Sequence, residues 1–444
     1  MKLSSAINSK CKSMRIGTIF CCIILLFLYQ NNQNLKISAT KNTIIVFTPL
    51  NQTKKSPISS MILAPPKPSI LSTFTPPPPY LNPINRVRVA NPNVSVYKPG
   101  KDNVGENKKC DMFDGKWVYK PEEFGKYDHI KCPFIEEKMS CRKNGRPDLD
   151  YEKWRWEPNH CHIPLFNGRE MLKRLRNKRV IIVGDSLNRN MWESLSCLLY
   201  TSVPRSRRMR IQVHSKFRDY KVLKAKDYNT TVEFHWSPLL IKFDENHKSG
   251  KKVLVLDKLS SNSKLWKGAD VMVFNSGHWW THKGKFRTKS CRWDLFQYKG
   301  QLMEKMATHR AYDKGMKTWA KWIQENVDPV KTTVFFRSIS TNHNVGKGWC
   351  YNSTRPVTDE LYENAFPKLM ANVIESLITK MNKPKVNYLN ITKLSKYRND
   401  AHPSIYRNKK WKIFPTQYAD CSHWCLPGLP DTWNRLLYAS LFFT

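Results

Sequence analysis

A chain of 444 residues, 40% hydrophobic and 12% aromatic, can bury a large core and exceeds what one ordinary domain needs, so part of it is expected to be tail and linker. Its 75 Lys plus Arg against 35 Asp plus Glu give a formal charge of +40, which points to polyanionic partners such as nucleic acid, anionic lipid or acidic polysaccharide. Compartment decides among these, and the features that follow exclude nucleic acid.

Residues 1–15 carry Lys2, Lys10, Lys12 and Arg15 ahead of the apolar run IGTIFCCIILLFLY at 16–29. That charge asymmetry belongs to a segment with its N-terminus in the cytosol. The run is short for a full span, yet 30–34 offers no small-residue cleavage site, so an uncleaved type II signal anchor is expected over a cleaved signal peptide. Residues 30–105 lack periodicity and are Pro-rich at 64–68 and 76–79. Through Lys101 the chain holds thirteen basic and no acidic residues, which reads as a flexible basic stem.

Beyond the anchor lie nine cysteines, Cys110, Cys132, Cys141, Cys161, Cys197, Cys291, Cys350, Cys421 and Cys425. In an oxidising lumen they predict several disulfides and one remaining thiol. Sequons at Asn51, Asn93, Asn229, Asn352 and Asn390 agree with lumenal exposure. Residues 106–178 are rich in Cys, Trp and turn residues and read as a disulfide-stapled N-terminal lobe. From 179 to 444 short apolar runs alternate with longer amphipathic ones, the pattern of β-α units on a mostly parallel sheet. Strands are predicted at 180–183, 252–256, 271–275, 333–336 and 386–389, and helices at 189–199, 298–326, 358–380 and 432–442.

Two stretches carry chemistry. The run VIIV at 180–183 leads into Gly184, Asp185 and Ser186 and then a helix, so Ser186 falls on a strand-to-helix turn at the carboxyl edge of the sheet. There the helix N-terminus aims N–H groups at any oxyanion. Asp and Ser are also preferred N-cap residues, and the triplet alone marks a helix start as readily as a nucleophile. Near the C-terminus, DCSHWC places Asp420 three residues before His423, close enough for the carboxylate to orient the imidazole as a base. Cys421 and Cys425 flank that histidine and leave open a zinc site, a structural loop or disulfides that pin it; no second ligand pair at suitable spacing is evident, and no metal is expected.

An early nucleophile and a late Asp-x-x-His match the SGNH, or GDSL, hydrolase plan. The stretches CDMFDGKWV, CRKNGRPDLDYEKWRWEP, RVIIVGDSLNRN, VFNSGHWW, VFFRSIS and DCSHWCLPGLPDTWN give the chain from 109 to 444 a close resemblance to the plant trichome birefringence-like family of polysaccharide O-acetyltransferases. The resemblance implies an SGNH-hydrolase-like α/β fold, Ser186 as nucleophile, His423 as general base and Asp420 as its orienting carboxylate. It also implies Arg189 and Asn275 as oxyanion-side groups, which by their residue types alone would read as a surface arginine and a turn-capping asparagine. Disulfides Cys110–Cys161, Cys132–Cys197, Cys141–Cys425 and Cys350–Cys421 are implied in the same way, with Cys291 unpaired.

The implied activity is transfer of acetyl through an acyl-serine onto a cell-wall polysaccharide, xylan or pectin, in the Golgi lumen. The implied donor is acetyl-CoA, with no bound cofactor. A polysaccharide acetyl esterase and a non-catalytic pectin-bridging wall protein are the competing readings. The stretch 341–350 departs from the family pattern while keeping His343 and Cys350, and His402 matches the family; it reads as structural or substrate-facing. Trp154, Trp156, Trp279 and Trp280 are candidate sugar platforms, each of which could equally be core.

Overall fold

The computed structural model describes residues 110–123, 127–217, 220–281, 293–344, 349–359, 362, 367–408 and 419–443. The predicted anchor and stem, and Cys291, lie outside them. Among the described residues no helix is long and apolar enough to cross a membrane.

In chain order the elements are β1 (Gly115–Tyr119), β2 (Trp154–Pro158), α1 (Gly168–Arg174), β3 (Arg179–Gly184), α2 (Ser186–Ser202), β4 (Ile211–Phe217), β5 (Tyr220–Ala225) and β6 (Thr230–Trp236). Then come β7 (Ile241–Asp244), β8 (Val253–Leu259), β9 (Val271–Phe274), α3 (His278–Thr281), β10 (Leu295–Tyr298), β11 (Gln301–Met303) and α4 (Thr308–Asn326). The last are β12 (Thr333–Arg337), α5 (Lys368–Thr379), β13 (Val386–Leu389), α6 (Thr392–Lys396) and α7 (Leu429–Phe442).

A seven-stranded sheet runs in the order β13-β12-β9-β3-β6-β5-β4. β13, β12, β9, β3 and β6 are parallel, and β5 and β4 continue it antiparallel. The two faces alternate along each central strand. Val180 and Ile182, Val271 and Val273, and Phe335 pack with α2 and α7. Ile181 and Val183, Met272 and Phe274, and Val334 and Phe336 pack with α4 and α5. The helix α4 shows why: Tyr312, Met316, Trp319, Ala320 and Ile323 recur at helical spacing and are all buried. The fold is therefore α/β, a mostly parallel sheet between helical layers. β3 lies at the switch point, since the chain leaves it for β6 on one side and returns to β9 on the other. In open α/β sheets, sites gather at the carboxyl ends of strands there.

Three expectations need correction. Residues 252–256 form a strand, but β8 belongs to a separate four-stranded sheet, β11-β10-β8-β7. The helix expected from 298 begins at Thr308, because a hairpin of β10 and β11 turns at Lys299 and Gly300, both at positive φ. The helix expected from 358 begins at Lys368 behind Pro367. The strands β4, β5 and β6 are not among the expected ones: Lys216, Lys221 and Lys224 interrupt β4 and β5, and β6 mixes Thr230, Thr231, Glu233 and His235 with its apolar residues.

The N-terminal lobe pairs β1 with β2 antiparallel and is bound to the rest by disulfides. Cys110–Cys161 lies within it, Cys132–Cys197 ties it to α2, and Cys141–Cys425 ties it to the loop before α7; Cys350–Cys421 closes the same region. Cys421 and Cys425 are thus spent as disulfides. Arg435 of α7 donates to the carbonyls of Trp156, Ile163 and Pro164 across the same junction. Cys141 and Cys425 are 284 residues apart in sequence. Serine at both positions should lower stability by about 2–5 kcal/mol, seen as a lower denaturation midpoint; an unchanged midpoint would contradict a pinning role.

Candidate active site

β3 ends at Gly184, whose φ of +151° suits glycine alone; a Cβ there would stand 1.8 Å from Asn275 Oδ1. Asp185 then caps α2, its Oδ1 accepting from the Leu187 N–H at 2.9 Å. The N-cap reading of the triplet is therefore correct for Asp185, and Ser186 is the first residue of the helix. Its own N–H has no intrahelical acceptor.

The C-terminal loop brings His423 to this turn. Ser186 Oγ–H donates to His423 Nε2 at 2.7 Å. On the other side of the ring, Nδ1–H donates to Asp420 Oδ2 at 2.8 Å. Because an ionised carboxylate only accepts, this contact fixes the tautomer and leaves Nε2 as acceptor. Asp420 Oδ1 also accepts from the backbone N–H groups of Ser422 and His423, both at 3.1 Å. Burial pushes the Asp420 carboxyl up, but His423, Arg407 and the hydrogen bonds outweigh it and hold the group well below the usual carboxylate range. Ser186, His423 and Asp420 thus stand in the order that nucleophile, base and orienter take in a Ser–His–Asp relay.

The loop is held from several sides. Asp420 exchanges both backbone hydrogen bonds with Ser404, at 2.9 Å each. Asn190 on α2 accepts from the Trp424 N–H at 2.9 Å and donates to its carbonyl at 3.2 Å. Asn188 donates to the Val183 carbonyl and accepts from buried Arg337. These two asparagines are buried on α2; polar residues on the inner face of a first helical turn are the signal that could have marked them. Arg146 of the NGRPD stretch donates to the carbonyls of Asp400 and His402, and so anchors the segment facing the loop.

Asn275 is bound to the turn before the serine. Its Oδ1 accepts from the Asp185 N–H at 3.1 Å and its Nδ2 donates to Asp185 Oδ1 at 2.9 Å, which spends one of its two amide hydrogens. Arg189 lies beside the site with its Nε 3.3 Å from Glu136 Oε1 and its guanidinium 5.6 Å from the Trp236 ring centroid. Lys221 and Lys138 also pair with Glu136. Burial pushes Glu136 up, and these three cations hold it below its ordinary value.

Ser186 and His423 line a cleft of about 500 Å³ with Lys138, Arg189, Trp236 and Trp279. The last four also wall an adjoining cleft of about 670 Å³. Of the four candidate platforms, Trp156 and Trp280 are buried and pack in the core, Trp154 stacks edge-on with Tyr119, and Trp279 reaches the cleft. Trp236, which meets Trp279 edge-on at 5.1 Å, was not anticipated.

Known families match both the N-terminal lobe and the sheet domain. Residues 163–440 match the GDSL/SGNH-like acyl-esterase family found in Pmr5 and Cas1p, and residues 108–162 match the PMR5 N-terminal domain. The chain is 42% identical to Protein trichome birefringence and 41% identical to Protein trichome birefringence-like 1, both of Arabidopsis thaliana. These alignments cover 75% of the chain, but 56% and 62% of the two relatives' own lengths. It is 38% identical to Probable xylan O-acetyltransferase 10 of Oryza sativa subsp. japonica, over 75% of the chain and 78% of that protein. The chain belongs to the trichome birefringence-like family, in which a PMR5 N-terminal domain precedes a GDSL/SGNH-like acyl-esterase domain.

Proposed function

We propose that the protein is an O-acetyltransferase that moves acetyl from acetyl-CoA, through an ester on Ser186, to a hydroxyl of a plant cell-wall polysaccharide, xylan or pectin. The observation that carries the reading is the unbroken relay from Ser186 Oγ to His423 Nε2 and from His423 Nδ1 to Asp420.

In the first half-reaction Ser186 Oγ attacks the thioester carbonyl carbon while His423 takes its proton. The C–S bond then breaks, and the thiolate leaves with the proton that His423 returns. In the second half, a sugar hydroxyl gives its proton to His423 and attacks the acyl carbon. Ser186 departs and recovers its proton. The charge that develops on the carbonyl oxygen is met by the Ser186 N–H at the helix start, by the Arg189 guanidinium and by the second amide hydrogen of Asn275. Arg189 has more N–H groups than Glu136 occupies, so it can serve both.

Two features support a glycan acceptor. Trp236 and Trp279 give the cleft an aromatic wall of the kind on which sugar rings stack, and Lys138 and Arg189 give it positive charge suited to acidic sugars. The relative named for xylan O-acetylation lends the substrate class. The signal anchor at 16–29, the sequons and the disulfides support a type II membrane protein of the Golgi with this site in the lumen. Asn229 and Asn352 are exposed, as acceptors of N-linked glycan must be.

Hydrolysis is the second reading, favoured by the acyl-esterase description of the matched family and by a relay that serves water equally well. The two separate when the protein is given acetyl-CoA with xylan or pectin oligosaccharides. Acetylated oligosaccharide is the expected product; free acetate with no sugar ester, from every acceptor offered, would establish the esterase instead.

A further inference from the structure

Behind the catalytic loop two buried histidines form a chain. His343 Nε2 lies 2.9 Å from the Lys396 carbonyl, His343 Nδ1 lies 2.7 Å from His402 Nε2, and His402 Nδ1 lies 2.5 Å from the carbonyl of His423 itself. His343 is 0% and His402 1% exposed, and His402 stacks on Trp424, the residue after the base, at 3.8 Å.

Three hydrogen bonds need three protons, and both ends of the chain are carbonyls that only accept. Two neutral imidazoles bring two protons. Lone pairs facing each other repel most at the shortest separation, so the missing proton falls on the longest contact, that with Lys396. His343 then donates from Nδ1 to His402 Nε2, which leaves His402 in the tautomer that donates from Nδ1 to His423.

We propose that His343 and His402 are positioning residues that act as one unit: His343 sets the tautomer of His402, and His402 holds the main chain of His423 so that its Nε2 meets Ser186. A third proton enters the pair at His343 Nε2 in acid and completes the Lys396 hydrogen bond. The inference rests on the reading of His423 as general base.

The charges facing the pair come from every side. The Asp420 carboxylate and the His423 ring are on the catalytic loop. Arg146, from the N-terminal lobe, donates to the His402 carbonyl at 2.9 Å. The Arg398–Asp400 ion pair precedes His402, and Tyr362 and Lys396 lie on the His343 side. Burial holds His343 down to about 4 against the Lys396 carbonyl; burial and then His343 hold His402 well below the ordinary imidazole value against the His423 carbonyl and the Asp420 carboxylate. At neutral pH the pair is therefore neutral.

Two measurements test this. In the full chain carrying isotope-labelled histidine, nuclear magnetic resonance should show both Nδ1 atoms protonated and both Nε2 atoms bare at neutral pH, with His343 Nε2 gaining a proton in acid. Protonated Nε2 on His402 at neutral pH would overturn the proposal whatever the enzyme acetylates. The second is the rate at which a fluorophosphonate labels Ser186, which needs no acetyl donor or acceptor. His402→Phe should slow it about tenfold through misplacement of the base. His402→Asn, whose amide can reproduce the Nδ1 donor, should recover most of the rate. Equal rates for the Phe and Asn variants, both folded, would reduce His402 to packing. Normal labelling without acetyl transfer would instead count against the proposed function alone.

Discussion

Alanine at Ser186 is expected to lower acetyl transfer by at least about 10⁴-fold while leaving the fold in place, because it removes the atom that carries the acyl group in the proposed mechanism. Its Oγ bonds His423 and is half-buried, so the loss to stability should stay within about 1 kcal/mol. Steady-state transfer rates and a thermal denaturation curve check both parts. Substantial transfer by the alanine protein would mean that sugar attacks the donor directly, with no acyl-serine on the path.

Asparagine at Asp420 should cost nearly as much, about 10³–10⁴-fold in kcat, through proton placement. The carboxylate accepts at once from the His423 ring and from two backbone N–H groups. If the asparagine oxygen keeps the backbone donors, its NH₂ faces His423 Nδ1 and forces the hydrogen onto Nε2, where it blocks the proton of Ser186. KM for the donor should change little, since Asp420 lies behind the histidine. The native carboxylate, with its pKa lowered on folding, contributes stability that is present above its unfolded value and lost as pH falls through the folded one. The asparagine protein should lack that acid-side loss of stability. An unchanged kcat would show that the histidine is oriented by other groups.

Much of the candidate site was legible because it is local. Four apolar residues, a glycine and a capping pair specify the turn from β3 to α2, and Asp420 and His423 are three apart on one loop. The meeting of the two was visible only through family resemblance, since nothing local specifies a contact 237 residues apart. The central strands β3, β9 and β12 are short apolar runs because both of their faces are covered, and they stand out for that reason. β5 and β6 mix Lys221, Lys224, Glu233 and His235 with their apolar residues and do not stand out, and Trp236 is hidden with them. The hairpin before α4 was absorbed into the helix because its residues fit helical spacing as well. The DTWN stretch is a family mark in the sequence, and its physical role emerges only in three dimensions: Asp431 accepts from Ser194 of α2 and Tyr127 of the lobe, and Asn434 donates to Ser194. His343 and His402 lie 59 residues apart, and nothing in their spacing announces a contact.

Transfer through Ser186 is read out by the mass of the protein and of its Ser186 peptide after brief exposure to acetyl-CoA without acceptor. One acetyl group on Ser186, absent from the alanine protein and discharged on adding xylan or pectin oligosaccharide with acetylated sugar appearing, is the predicted result. An unmodified Ser186 under conditions where acetylated sugar still forms would contradict it.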